Sequence, residues 1–168
     1  MNRITKSVFI ILGSAIACSQ ALAEDRPYQR MRALSMETAN KAAMAAALDC
    51  DKKGHQVAVA VTDRYGNLLA FIRSPLTRIH ATEVAMNKAY TAASLQGSTE
   101  ELGPRLAYLR HVNRFALTGG GRAVRIGGIM YGAIGVAGAI GKKTPGDVDD
   151  GCAKAGVNAI RDELELAE

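Results

Sequence analysis

Val57-Ala58-Val59-Ala60-Val61-Thr62, then Asp63-Arg64-Tyr65-Gly66-Asn67, then Leu68-Leu69-Ala70-Phe71-Ile72: the fold turns on this stretch. Valine and alanine alternate, so both sides of an extended chain would be apolar. That is the pattern of a strand covered on both faces. Asp63 to Asn67 is turn chemistry, and a short polar turn between two apolar runs predicts an antiparallel hairpin. Pro75 closes the second strand.

Upstream, Ala39, Ala42, Ala43, Ala46, Ala47 and Cys50 recur at three- and four-residue steps, a helical face. Ser35 is the predicted N-cap of this helix, and Lys52-Lys53-Gly54 ends it. Its alanines let a partner surface approach closely. Downstream, Thr82 to Gln96 reads as a second helix with Val84, Ala85, Ala89, Ala92, Ala93 and Leu95 on one broad face. Ser98 with Glu101 fits a capping box opening a shorter helix to about Leu109, bent or restarted at Gly103-Pro104.

The last part is rich in glycine. Phe115-Ala116-Leu117-Thr118 reads as a short strand before Gly119-Gly120-Gly121. Ala123–Ile126 and Ile129–Ala137 flank Gly127-Gly128, a two-residue hairpin signal. Gly132, Gly135 and Gly138 fall at three-residue steps in this strand, where glycine weakens pairing and implies that something packs hard against the backbone. A helix is the commonest such partner. Asp147 is the expected N-cap of a final helix to about Leu166, with Asp149 and Asp150 in its first turn. The order is helix, two strands, helices, three strands, helix. Strands joined by short turns without βαβ alternation predict an α+β fold: an antiparallel sheet of about five strands with helices packed on it.

The first residues read as an export signal. Arg3 and Lys6 precede an apolar run, Val8 to Ala17, and Ala21-Leu22-Ala23 supplies small residues for a signal peptidase. The run is about ten residues, whereas a membrane-spanning helix needs about 20. A signal peptide over 1–23, a short charged leader over 24–34 and one domain over 35–168 are therefore expected, with a periplasmic or secreted location and no stable membrane span. A rival is cleavage before Cys18, within the weak lipobox-like string Ala15-Ile16-Ala17-Cys18, which would give a lipid-anchored protein.

Without residues 1–23 the 168-residue chain keeps 145, and losing Arg3 and Lys6 takes the net charge from +5 to +3. That size buries a real core without a metal or disulfide staple. The charge is too small, and aromatics at 5% too scarce, for a nucleic-acid surface, so no nucleic-acid partner is expected. Cys50 and Cys152 remain, each near a predicted helix end. They form a disulfide if those helices lie antiparallel and adjacent; otherwise they are two small buried thiols. No Cys-x-x-Cys or His-x3-His spacing marks a metal site.

Few residues carry overt chemistry. His55, His80 and His111 each fall in a predicted loop, with Glu83 three residues after His80. A lone loop histidine is most often a solvated side chain, though each could act as base or ligand. Gly119-Gly120-Gly121-Arg122, with Arg125 nearby, could form an anion-binding nest, or simply a glycine turn feeding a strand. Lys88 sits mid-helix among apolar residues, and snorkelling to solvent is its default reading.

Several strings in order along the chain resemble the GlcG/HbpS-like haem-degrading-domain family: Val59–Asp63 with Gly66–Ala70, Asn87–Ala92, Ser98–Leu102, Gly119–Gly121, Tyr131–Gly138, and Gly146-Asp147 with Cys152–Gly156. The resemblance spans about residues 36 to 160. It implies a profilin-like domain, a homo-oligomer and a small-molecule ligand, with haem as the cofactor. On that footing His80 and His111 are candidate ligands of the iron, Arg122 and Arg125 candidate partners of the propionates, and Lys88 a further candidate contact. The alternatives are an enzyme or binder for a small anionic metabolite at the Gly119–Arg125 loop, and a structural oligomer without ligand.

Overall fold

The computed structural model describes residues 27–167, so the expected signal segment lies outside the described residues. The chain divides into Met1–Arg30 and Met31–Glu168. Of the first unit, residues 27–30 are described and carry no helix or strand. The second unit holds everything that follows. Leu34, just ahead of the first helix, is buried in the core of this unit.

Strand β1 (Ala58–Asp63) pairs antiparallel with β2 (Leu68–Arg73) on one edge and with β4 (Ile129–Ala137) on the other. Strand β3 (Gly121–Ile126) completes the sheet, whose order is β2-β1-β4-β3. The valine–alanine alternation sorts to two faces. Val57, Val59 and Val61 join the core that includes α1 (Met36–Lys52) and α4 (Asp147–Asn158), while Ala58 and Ala60 pack on α2 (Ala81–Leu95). The helix partner expected for the glycine strand is α2. A Cβ on Gly135 would lie 2.1 Å from the Ala85 carbonyl oxygen and 2.4 Å from the Ala89 nitrogen. Alanine on the helix and glycine on the strand together allow that approach.

The sheet has four strands, not the expected five. Phe115–Thr118 is not a strand, because side chains claim its backbone. The Ala116 N–H donates to Thr91 Oγ1 at 2.9 Å, and the Thr118 carbonyl accepts from Thr99 Oγ1 at 2.7 Å. The expected single last helix is two, α4 and α5 (Arg161–Leu166), with buried Ile160 at the break. Gly146 rather than Asp147 caps α4, at φ 87°. Asp147 is its first residue, and its carboxylate accepts the N–H groups of Lys142, Lys143 and Val148, which fixes the preceding loop. The short helix α3 (Thr99–Leu102) is capped by Ser98 Oγ through the Glu100 N–H, and a 3-10 helix, Ala107–His111, follows it.

Helices α1 and α4 run antiparallel. Cys152 meets Cys50 in a disulfide with a Cα–Cα distance of 5.5 Å, and one turn later Gly156 faces Ala42 and Ala46. Both cysteines are fully buried.

Candidate functional site

The sequence candidates do not converge. Lys88 does not snorkel: it is 2% exposed, and its Nζ donates to the Val136 carbonyl at 2.9 Å and to Asp149 Oδ2 at 2.8 Å. Burial pushes the Asp149 carboxyl up from its ordinary value, and the Lys88 charge and the Ala139 N–H only partly oppose this. A buried pair of this kind stays charged only because each ion has its partner and further hydrogen bonds.

The glycine triplet serves that pair. A Cβ on Gly120 would lie 2.9 Å from Lys88 Nζ and 2.8 Å from Asp149 Cβ, so only glycine clears it. The triplet is also not a free anion nest. The Gly119 N–H donates to the Pro145 carbonyl at 3.1 Å, and the Gly121 N–H to Thr99 Oγ1 at 2.9 Å. The two arginines that follow point to different partners. Arg122 Nε and Nη2 donate to Asp150 Oδ2 at 3.1 and 2.5 Å, with Glu100 Oε2 3.8 Å away. Arg125 is exposed and donates to Gln96 Oε1 and to the Gly128 carbonyl.

The histidines are also apart. His80 is exposed just ahead of α2, and His111 is exposed at the end of the 3-10 helix. The segment after His111 packs near Thr91, whose Oγ1 bonds the Arg114 carbonyl and the Ala116 N–H. Thr91 is 11 residues beyond His80, on the order of 16 Å along α2. His55 is half-buried in a separate, smaller hollow with Leu76, Arg78 and Ile140. Among the described residues, no group of three or more His, Cys, Asp or Glu could hold a metal ion.

A cavity of about 540 Å³ lies elsewhere, lined by Glu100, Gly103, Pro104, Ala107, Arg110, Leu117, Thr118, Gly119, Thr144 and Pro145. That volume suits a small organic ligand. Its walls come from α3, the 3-10 helix, the 117–119 segment and the loop before α4. Asp147 holds that loop through Lys142 and Lys143, and Gly119 abuts Gly146. Most of the lining is apolar, with one cation, Arg110, and one carboxyl, Glu100. His111 directly follows Arg110.

Glu100 belongs to a second cluster missed from the sequence. Its carboxyl is raised above the ordinary range chiefly by the Asp150 side chain, and further by burial; Arg122 opposes this and Asp147 adds to it. Asp150 is 3% exposed and its Oδ1 has no hydrogen-bond partner among the described residues. Asp149-Asp150 reads in sequence as two charges favouring a helix N-terminus. Only their burial separates that reading from the ion pairs observed.

The comparisons agree with this architecture. A family model described as "Haem degrading protein HbpS-like" matches residues 34–158. The crystal structure of HbpS is similar at 36% identity and TM-score 0.74, covering 80% of this chain and 94% of that one. The crystal structure of a PduOC:heme complex is similar at 25% identity and TM-score 0.69, covering 76% and 95%. An uncharacterized 15.0 kDa protein from the dhaT-dhaS intergenic region of Citrobacter freundii is 30% identical over 118 residues, 66% of this chain and 83% of that protein. With the matched model spanning strands β1 to β4 and helices α1 to α4, this chain belongs to the HbpS-like family of haem-degrading proteins.

Proposed function

We propose that this chain is an exported haem-binding protein, and that the tetrapyrrole is taken at the cavity between α3, the 3-10 helix and the loop before α4. One observation carries the reading: the cavity of about 540 Å³ combines apolar walls with a single guanidinium, Arg110. A tetrapyrrole needs an apolar slot for its ring, a cation for its propionates and a ligand for its iron. Gly103, Pro104, Ala107, Leu117 and Pro145 supply the slot, and Arg110 the cation. His111, next to Arg110, is the nearest candidate ligand along the chain, although it is not itself part of the lining. Bound haem would supply a redox-active iron. Arg122 and Arg125, the first candidates for the propionates, are engaged by Asp150 and Gln96.

The family and the haem-bound relative support haem as the ligand. Export is supported by Arg3, Lys6, the apolar run and Ala21-Leu22-Ala23, and a disulfide suits an oxidising compartment. Exposed Leu76, Ile79 and Ile140 are consistent with assembly into a homo-oligomer. Among the described residues no helix is long and apolar enough to cross a membrane.

The test is a hemin titration of the secreted protein, followed through the Soret band, with its intact mass reporting cleavage after Ala23. A saturable shift is expected. Arg110→Ala should weaken binding about tenfold, the worth of one charge-assisted hydrogen bond. His111→Ala should move the band, and His80→Ala should leave it unchanged. Folded protein that gives no Soret shift would sink the reading.

A further inference from the structure

The orphan oxygen of Asp150 belongs to a carboxylate that shares a guanidinium with a second acid, Glu100. Asp150 Oδ2 takes both hydrogen bonds from Arg122, and Oδ1 is buried without a partner among the described residues. A buried acceptor left unmade costs roughly 1–3 kcal/mol, so such an atom calls for a donor. The Glu100 carboxyl converges on the same atom as Asp150: its Oε2 is 3.8 Å from the Arg122 Nη2 that Asp150 Oδ2 accepts from at 2.5 Å. Two carboxylates cannot both stay ionised at contact, whereas a carboxyl and a carboxylate form a strong hydrogen bond.

One cation faces the two carboxyls. Arg122 from β3 supplies a single positive charge within reach of both Glu100 and Asp150, and Asp147 at the start of α4 adds a further negative field. Glu100 from α3 is the more exposed acid, with 38% of its side chain accessible against 4% for Asp150, and it is the member that lines the cavity.

We propose that Glu100 and Asp150 share one proton under Arg122, so that Glu100 meets a ligand in the cavity as a neutral acid rather than as a carboxylate. The shared proton stands on the apo protein. Its consequence for haem rests on the reading given above: a dicarboxylate ligand is tolerated while Glu100 is neutral and repelled once it ionises. Because the Glu100 proton is held above the ordinary range, affinity is highest on the acid side and falls as pH rises through the raised value. Binding of the dicarboxylate also draws the proton on more tightly.

Infrared spectroscopy of the ligand-free protein reads the proton directly. A carboxylic-acid C=O band is expected at mildly acid pH, lost on raising pH. The Glu100 component of that band should be absent from Glu100→Gln at the same pH, leaving any contribution of Asp149 in place, and should be weakened in Asp150→Asn, where the acceptor carboxylate is gone. Hemin titrated across the same pH range should lose at least about fivefold in affinity in the wild type, and this pH dependence should flatten in Glu100→Gln. A wild type without a band attributable to Glu100 overturns the proposal. So does a Glu100→Gln variant that keeps the wild-type pH slope. If the band is present but hemin does not bind at any pH, the haem reading fails and the shared proton stands.

Discussion

Lys88 shows how little a single residue says about its environment. In sequence it is a lysine on an apolar helix, and the stem of a lysine commonly lets its head reach water. Its partner Asp149 is 61 residues away, so nothing local announces the pair. Removing one member of a buried pair leaves the other uncompensated, at about 3–5 kcal/mol. Lys88→Ala should therefore lower the urea midpoint sharply, while Lys88→Met with Asp149→Asn should recover at least half of the loss. A double variant as weak as Lys88→Ala would contradict the uncompensated-charge account. Asp63 was legible, because its role is local. Burial pushes its carboxyl up, but hydrogen bonds from Asn67, Tyr65 and Gly66 outweigh that and hold it below the ordinary value. With the folded value below the unfolded one, its stabilisation is present above the unfolded value and is lost as pH falls through the folded one. Asp63→Asn should thus be less stable than wild type at neutral pH, and the gap should narrow in acid. A gap that stays constant across that range would show that the turn does not depend on the charge.

Among the elements, helix α2 and strand β4 define each other. The sequence signal was the glycine spacing in β4, and it identified close packing without naming the partner at each glycine. Gly135 meets the backbone of α2, whereas Gly132 meets β1, where a Cβ would lie 2.2 Å from the Thr62 carbonyl oxygen. Gly135→Ala should cost about 3 kcal/mol or prevent folding, because backbone cannot yield as a side chain can. Gly128 gives the contrast. A Cβ there meets nothing within 4 Å, but φ is +81°, so Gly128→Ala should cost only about 1–2 kcal/mol, from backbone strain. Thermal melts of the two variants side by side separate steric exclusion from strain, and equal losses would refute the distinction. Phe115–Thr118 is the element that sequence misplaced. Its apolar residues suit a strand, but Thr91 and Thr99 supply its hydrogen bonds, and a hydroxyl's choice of backbone partner depends on where two distant helices come to rest.

At the scale of the whole molecule, the disulfide joins residues separated by 102 in sequence, clamping α4 to α1 over one face of the sheet. In the chain-entropy account, opening a loop of that length costs on the order of 4–5 kcal/mol. Cys50→Ser with Cys152→Ser, or reductant added to the wild type, should lower the urea midpoint accordingly. A midpoint indifferent to reductant would mean that the bond does not contribute. The cavity is likewise a property of the assembled molecule. Its walls come from four segments spread from Glu100 to Pro145, and the glycines of two of them, Gly119 and Gly146, meet backbone to backbone. No one segment carries the pattern of a site.

The sequence by itself determined the α+β class, the two hairpins, the capped helix α1, the close contact at the glycine strand and the family. Each of these rests on periodicity, turn chemistry or ordered motifs, which act over a few residues or survive as spacing. Tertiary structure alone decided the fourfold strand count, the closure of Cys50 onto Cys152, the burial of Lys88 with Asp149, and the meeting of Glu100 with Asp150 beside the cavity. The physical reason is common to all four. Whether a polar group bonds to backbone, pairs with an opposite charge, shares a proton or faces water depends on what lies across the fold from it, and those partners are distant in the chain.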